Sequence, residues 1–399
     1  MDVTRRLLLV VASTLTLVLT SAAPMVALTK EAKPSPLTSG NLVRLKDMAV
    51  NGNTSKGAIA AVGWQEGSKP GKLYLGFSVD GGKDYRNNKG NLRKYRVAGE
   101  PALGMGLAIC SGRVWAASGY HFSSDKAGDS DVLVISRTIG GGAAQARMTD
   151  PSKDRRVRSL SMSCAGSKYI AVAWLNHNGN KATAQVMIRS NDTLGETPSF
   201  KKIYNLGLAE FKSGIDVAAT SNSVAVAFVR DGNLQLKRFD VDAAANAVDA
   251  HPRATVAWKD VKYPRLGARS KRLVVAYTDS GKVRVKMSRD QGATFSKAKT
   301  IVSTGGPRNP SKAWSIDVAG DRLVATAGAY SKTSSKVTPQ RLTSSTFGEN
   351  WSKRSFGNIG TRKAALMKKK NKDVLLIEAW HNNAPKGFAD TLRARYEVK

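Results

Sequence analysis

The chain has 399 residues, with 63 Lys and Arg against 30 Asp and Glu, for a formal net charge of +33. So large an excess of one sign excludes an acidic or neutral surface and points to polyanionic partners; it bears on association and not on fold. The four His (His121, His177, His251, His381) are scattered with no pair at ligand spacing, so no metal and no cofactor is expected.

Residues 1–27, "MDVTRRLLLVVASTLTLVLTSAAPMVA", place Arg5 and Arg6 before an apolar run that gives way to small residues. These are the three regions of a secretory signal, with cleavage expected near residue 22 or 27. Removing two Arg and one Asp with it leaves +32. No later apolar run reaches the roughly 18 residues that a membrane span needs. The expectation is a secreted, extracytoplasmic chain, with residues 28–40 as an N-terminal extension and 41–399 as a single domain.

Beyond residue 40 the chain repeats. A strong apolar strand recurs as "GAIAAVGW", "RVWAASGY", "YIAVAW", "SVAVAF", "RLVVAY", "RLVATAGAY" and "DVLLIEAW", at intervals of about 45 to 60 residues. Each copy is preceded by a shorter strand and a turn of small or polar residues, as in "KDMAVNGN" or "SIDVAGD". A third strand follows, as in "KLYLGFS" or "KVRVKMS", and a fourth follows in the first six copies. Four-stranded units of this length stack radially into an all-β propeller. Seven blades are expected, the last closed by an N-terminal strand, "NLVRL" (41–45), pairing with 391–398; six blades plus a hairpin is the alternative. The two cysteines, Cys110 and Cys164, end neighbouring innermost strands of an exported chain, which predicts one disulfide.

Two third strands run into matching turns, "SVDGGKDY" (Ser78, Asp80, Gly82, Tyr85) and "SRDQGATF" (Ser288, Asp290, Gly292, Phe295). Ser and Asp side chains bond the free backbone groups of such a turn, Gly supplies a positive φ, and the aromatic folds back as a plug. "SSTFGENW" (344–351) is a degenerate copy. These turns and the repeat resemble the Asp-box, or BNR repeat, of the sialidase-like propellers. The resemblance implies a turn on the rim away from the ligand, between third and fourth strands.

It also implies what a catalytic set would be: three arginines for a carboxylate, a Tyr with a Glu partner, and an Asp. The family's Phe/Tyr-Arg-Ile-Pro signature is absent, the nearest stretch being "NLVRLKD" with Arg44. Propeller topology nonetheless gathers Arg44, Arg155, Arg156, Arg158, Arg265, Arg308 and Arg362 near the starts of innermost strands, on the ligand rim, as candidate anion binders. Candidate acids on that rim are Asp125, Asp129 and Asp131 in "HFSSDKAGDSD" and Asp390 in "NAPKGFAD". Asp47, Asp216 and Asp317 recur within first strands, which points to a shared structural role. Trp115, Trp258 and Trp314 break the repeat and are candidate ligand contacts.

The expected function is a monomeric, non-enzymatic propeller that binds an anionic polymer or acidic glycan, with nucleic acid bound only non-specifically. A protein partner without glycan affinity and a sialidase-like glycoside hydrolase with an atypical site are the alternatives.

Overall fold

The second strand of each repeat is apolar along its whole length because its sheet is sandwiched between two neighbours, so both faces are dry. The computed structural model describes residues 30–31, 35–37, 43–51, 59–67, 72–82, 84–86, 93–99, 104–110, 112–120, 130–138, 143–147, 156–165, 169–178, 181–190, 203–244, 247–252, 256–306, 308–331, 333, 336–355, 362–369, 373–382 and 391–398. The expected leader, the candidate anion binder Arg155, and Asp125, Asp129 and Asp390 lie outside the described residues.

Six antiparallel sheets are each folded from one uninterrupted run of chain. Blade 1 comprises Val43–Asn51, Ile59–Glu66, Lys72–Ser78 and Lys94–Val97. Blade 2 comprises Met105–Cys110, Arg113–Tyr120, Asp131–Thr138 and Ala143–Arg147. Blade 3 comprises Val157–Ala165, Tyr169–Asn178, Lys181–Ser190 and Ile203–Ala209. In blade 4, Ile215–Ala219, Ser223–Arg230 and Asn233–Ala244 are followed by two pieces, Ala247–Pro252 and Val256–Trp258, that share the outer edge. Blade 5 is Val261–Arg269, Arg272–Asp279, Lys282–Ser288 and Lys299–Val302; blade 6 is Lys312–Ala319, Arg322–Tyr330, Val337–Ser344 and Ser352–Ser355.

The remaining sheet is composite. Arg362–Lys369, Asp373–Asn382 and Thr391–Val398 come from the C-terminal end, and Lys30–Glu31 and Ser35–Pro36 add to its outer edge. The expected ring of seven blades is therefore corrected: six blades are complete in chain order, and a composite sheet closes the circle between blade 6 and blade 1. The closing strand is corrected too. Lys30 pairs with Val398 and Ser35 with Ala394, whereas residues 43–45 open the innermost strand of blade 1. Val43 and Leu45 are buried there, which is why their alternation looked like a strand in its own right.

The core lies between blades. One cluster joins Tyr169, Leu175, Val186 and Ile188 of blade 3 to Val217, Val224 and Phe228 of blade 4; equivalents fill the seams of blades 1–2, 2–3, 4–5 and 5–6. Trp174, Phe228 and Tyr277, which close second strands, are buried there, and Trp64 is buried in blade 1, each contributing on the order of 1.5–3 kcal/mol by leaving water.

Around the axis the innermost strands pack one against the next, and the seams carry polar clasps. Asp47 Oδ2 accepts the Leu107 N–H at 2.7 Å across blades 1–2, and Asp216 Oδ2 accepts the Leu266 N–H at 2.8 Å across blades 4–5. Asp317 Oδ2 accepts the Leu366 N–H at 2.9 Å across blade 6 and the closing sheet. Across blades 3–4 the hydroxyls of Ser159, Ser161 and Ser163 accept from Ile215, Val217 and Ala219. The Cys110–Cys164 disulfide joins blades 2 and 3, and Lys363 Nζ meets Asp47 Oδ1 at 2.7 Å where the circle closes. Elsewhere backbone touches backbone: a Cβ on Gly267 would lie 2.8 Å from the Ile316 carbonyl oxygen.

Burial raises the Asp216 carboxyl above the ordinary range, more than Arg265, Ser161, the Leu266 N–H and Lys363 lower it. A raised folded-state value favours the native state fully below the unfolded carboxyl value, and that contribution is lost as pH rises through the folded value. Asp216→Asn keeps an acceptor without the charge, whereas Asp216→Ala orphans the Leu266 N–H at a cost of about 1–3 kcal/mol. In urea unfolding Asp216→Ala is expected to be clearly the less stable of the two. The wild type is expected to lose ground to Asp216→Asn as pH rises from 4 to 7, and a gap that moves the other way would refute the assignment.

Candidate functional site

Because each blade runs down, up, down and up, every innermost strand starts on the same rim. The starts of four of them are bulged: the register slips between Leu45 and Asp47, Arg158 and Ser161, Lys262 and Arg265, and Ala313 and Ser315. A bulge inserts a residue and re-aims its side chain. Here the extra residues include Lys46, Ser159, Tyr263 and Trp314. Ser159 (φ 47°) and Tyr263 (φ 54°) have left-handed backbones, an uncommon state that is strained for a bulky residue and concentrates at functional sites.

These bulges set out a basic mouth. Arg44, Arg308 and Lys312 are exposed, and Lys312 Nζ stands 4.5 Å from the centre of the Tyr263 ring. Lys46 is half-buried, and burial first, then the neighbouring Arg44 guanidinium, pushes its ammonium down to about 8. Asp47, Asp216 and Asp317, the recurrent carboxylates of the innermost strands, accept backbone N–H groups across the seams.

The expected anion binders divide. Arg44 and Arg158 are the second residues of their strands, Arg308 precedes Lys312–Ala319, and Arg362 begins the innermost strand of the closing sheet. Arg158 Nη1 donates to the Val157 carbonyl at 3.3 Å. Arg265 is committed to the scaffold: its Nε donates to the Trp314 carbonyl across the blade 5–6 seam at 3.0 Å, and Nη1 to the Pro264 carbonyl at 2.6 Å. Asp131, the candidate acid among the described residues, is 2% exposed at the start of its strand. Trp115 is buried in the blade 2–3 core, Trp258 stacks on Tyr277 at 5.7 Å, and Trp314 stays on the rim with its ring over Gly328. Sequence reasoning missed Lys46, Tyr263 and Lys312. One signal was present: Pro264 inside the strand "VKYPRLGAR", where proline is confined to edges or bulges.

The opposite rim carries the Ser-x-Asp-x-Gly turns. Ser288 Oγ accepts from Gly292 N–H at 2.7 Å and donates to Asp290 Oδ1 at 2.6 Å; Asp290 in turn accepts the N–H and hydroxyl of Thr294. Ser78 bonds Asp80 and Gly82 in the same pattern, and Ser344 accepts from Gly348 with Thr346 in the Asp place. Gly82, Gly292 and Gly348 have φ of 86°, 88° and 85°. Tyr85 is fully buried, and Phe295 meets Trp258 edge-on at 5.2 Å. Gln291 Oε1 accepts from Thr220 Oγ1 at 2.9 Å, so the blade 5 turn also ties to blade 4. Burial is the largest single influence on the Asp290 carboxyl and raises it, but the bonds from Ser288 and Thr294 together outweigh it and hold the group at about 2.

No protein-family model matches the chain, and no curated protein does. Similar solved structures include a Trypanosoma rangeli sialidase (14% identity, TM-score 0.44, 78% of this chain and 57% of that one) and the NanB sialidase of Streptococcus pneumoniae (8%, 0.46, 92% and 97%). The polysaccharide lyase Uly1 is similar at 7% identity and a TM-score of 0.47, over 85% of this chain and 87% of that one. The chain thus spans little more than half of the trypanosomal enzyme. Likeness at this level carries neither substrate nor mechanism to this protein.

Two titrations test the electrostatics of the rims. Reductive methylation followed by carbon NMR should show Lys46 titrating near 8; Arg44→Ala should raise its midpoint only in part, because burial is the larger cause. For Asp290 the folded value is depressed, so its stabilisation is present above the unfolded carboxyl value and lost as pH falls through about 2. Thermal unfolding should therefore show Asp290→Asn less stable than wild type at pH 5 and equal to it near pH 2.

Proposed function

We propose that this protein is an exported, non-enzymatic β-propeller that holds an anionic polymer, an acidic glycan or a cell-wall glycopolymer, against its basic mouth. The observation that carries this reading is the crowding of Arg44 and Lys46 on a rim that also exposes Arg308 and Lys312, with the recurrent inner-strand carboxylates engaged as backbone acceptors. Like charges held together repel, and a polyanion relieves that repulsion while releasing its own counterions. Nucleic acid would bind through the same phosphate electrostatics, without sequence preference.

Binding to an immobilised anionic polysaccharide should weaken steeply with salt, the slope of log K against log salt counting the anionic groups neutralised. Arg44→Ala and Arg308→Ala should each reduce that slope by about 1. Ligand saturation should move the Lys46 titration upward from about 8. Retention indifferent to salt would overturn the reading, and turnover of a fluorogenic glycoside by the pure protein would overturn its non-enzymatic part.

A further inference from the structure

The rim opposite the mouth holds a second arrangement of cations, at the seam of blades 5 and 6. Arg272, which begins the second strand of blade 5, and Arg289, in the turn after its third strand, converge on one oxygen of Asp321. Arg272 Nη2 lies 2.5 Å and Arg289 Nη1 3.6 Å from Asp321 Oδ1. Both guanidiniums also sit by the ring of Phe347, at 5.3 and 4.6 Å from its centre. The platform is fixed from beneath: Phe347 is 5% exposed with φ 46°, and its N–H donates to the Asp321 carbonyl at 2.7 Å. Exposed Lys271 stands beside it, its carbonyl accepting the Gln291 N–H at 2.8 Å.

Two arginines here share a single carboxylate oxygen. Arg269 faces Arg272 directly across the strand pair and has the Asp317 carboxyl as its own counter-charge, so Asp321 is left to the other two arginines. Asp290, the other carboxylate of the Arg289 turn, has its oxygens taken by Ser288 and Thr294. Arg272 Nε–H is buried without a partner, while the side chains of Arg289 and Asp321 are 63% and 53% exposed. Two guanidinium forks held on an aromatic surface, one carboxylate oxygen between them and water in front make a seat for a further anion.

We propose that Arg272 and Arg289, carried on Phe347 with Lys271 at the edge, form an oxyanion site for a phosphate or sulfate group of an anionic polymer. A tetrahedral oxyanion presents oxygens in several directions, so it takes donors from two forks that are not coplanar while Asp321 keeps one of them. A site on the rim opposite the mouth makes the protein bivalent, able to bridge two polymer chains or two stretches of one.

The test titrates the full-length mature protein with inorganic phosphate and with sulfate by calorimetry, followed by a short polyphosphate and a heparin oligosaccharide to separate phosphate from sulfate sources. Arg289→Ala should weaken binding about tenfold, one charge-assisted fork being lost, and Arg289→Lys by an intermediate amount. Arg96→Ala, which removes an equal, exposed charge from the outermost strand of blade 1, should change it less than twofold. With long polymer the wild type should give turbidity, and Arg289→Ala should bind without cross-linking. Equal losses in Arg289→Ala and Arg96→Ala, or no loss in either, would overturn the site. Salt-dependent retention that persists in that case leaves the basic mouth standing.

Discussion

Everything in this protein turns on how one sheet is held to the next at the axis. Sheets of a propeller share no ladder, so the inner edge of every innermost strand is left with backbone groups that must find partners. The chain answers with short side chains that reach across the seam: Asp47 to Leu107, Asp216 to Leu266, Asp317 to Leu366, and the serine row 159, 161 and 163 to blade 4. A disulfide holds blades 2 and 3, and Lys363 binds Asp47 where the circle closes. Apolar packing outside this ring supplies the bulk of the cohesion, while the clasps set the spacing and angle at which that packing is achieved.

The same clasps shape the electrostatics. A carboxylate that accepts a backbone N–H across a seam is poorly placed to offset the cations around it, so the acids best positioned to neutralise the axis are committed to holding it. The excess charge is then felt at the rims. At the mouth Arg44 stands beside Lys46 and adds to the burial that pushes its ammonium down to about 8. On the opposite rim the excess shows as two arginines sharing one carboxylate oxygen.

Much of the architecture was legible because burial on both faces of a sheet writes an unbroken apolar run, and "GAIAAVGW", "SVAVAF" and "RLVVAY" are such runs. The Ser-x-Asp-x-Gly turns were legible for another reason: their bonds close within seven or eight residues. What misled was the closing edge. The pieces at 30–31 and 35–36 are two residues each and carry no apolar alternation, whereas "NLVRL" has it because it enters an innermost strand. Six blades are continuous in the chain and the closing sheet is not, a distinction that strand patterns alone do not encode.

By itself, then, the sequence determined the strand repeat, the turn chemistry and the sign of the charge, since each follows from local periodicity, short-range bonds or composition; the expected Cys110–Cys164 bond, across 54 residues, needed the tertiary structure to bring its ends together. Which arginines stay exposed and which serve the scaffold was decided only by tertiary structure. Arg265 and Arg44 look alike in the chain, yet one is bonded to Trp314 and Pro264 and the other is exposed on the rim. The difference comes from bulges and from contacts some 50 residues away in the chain, and those exist only once the circle has closed.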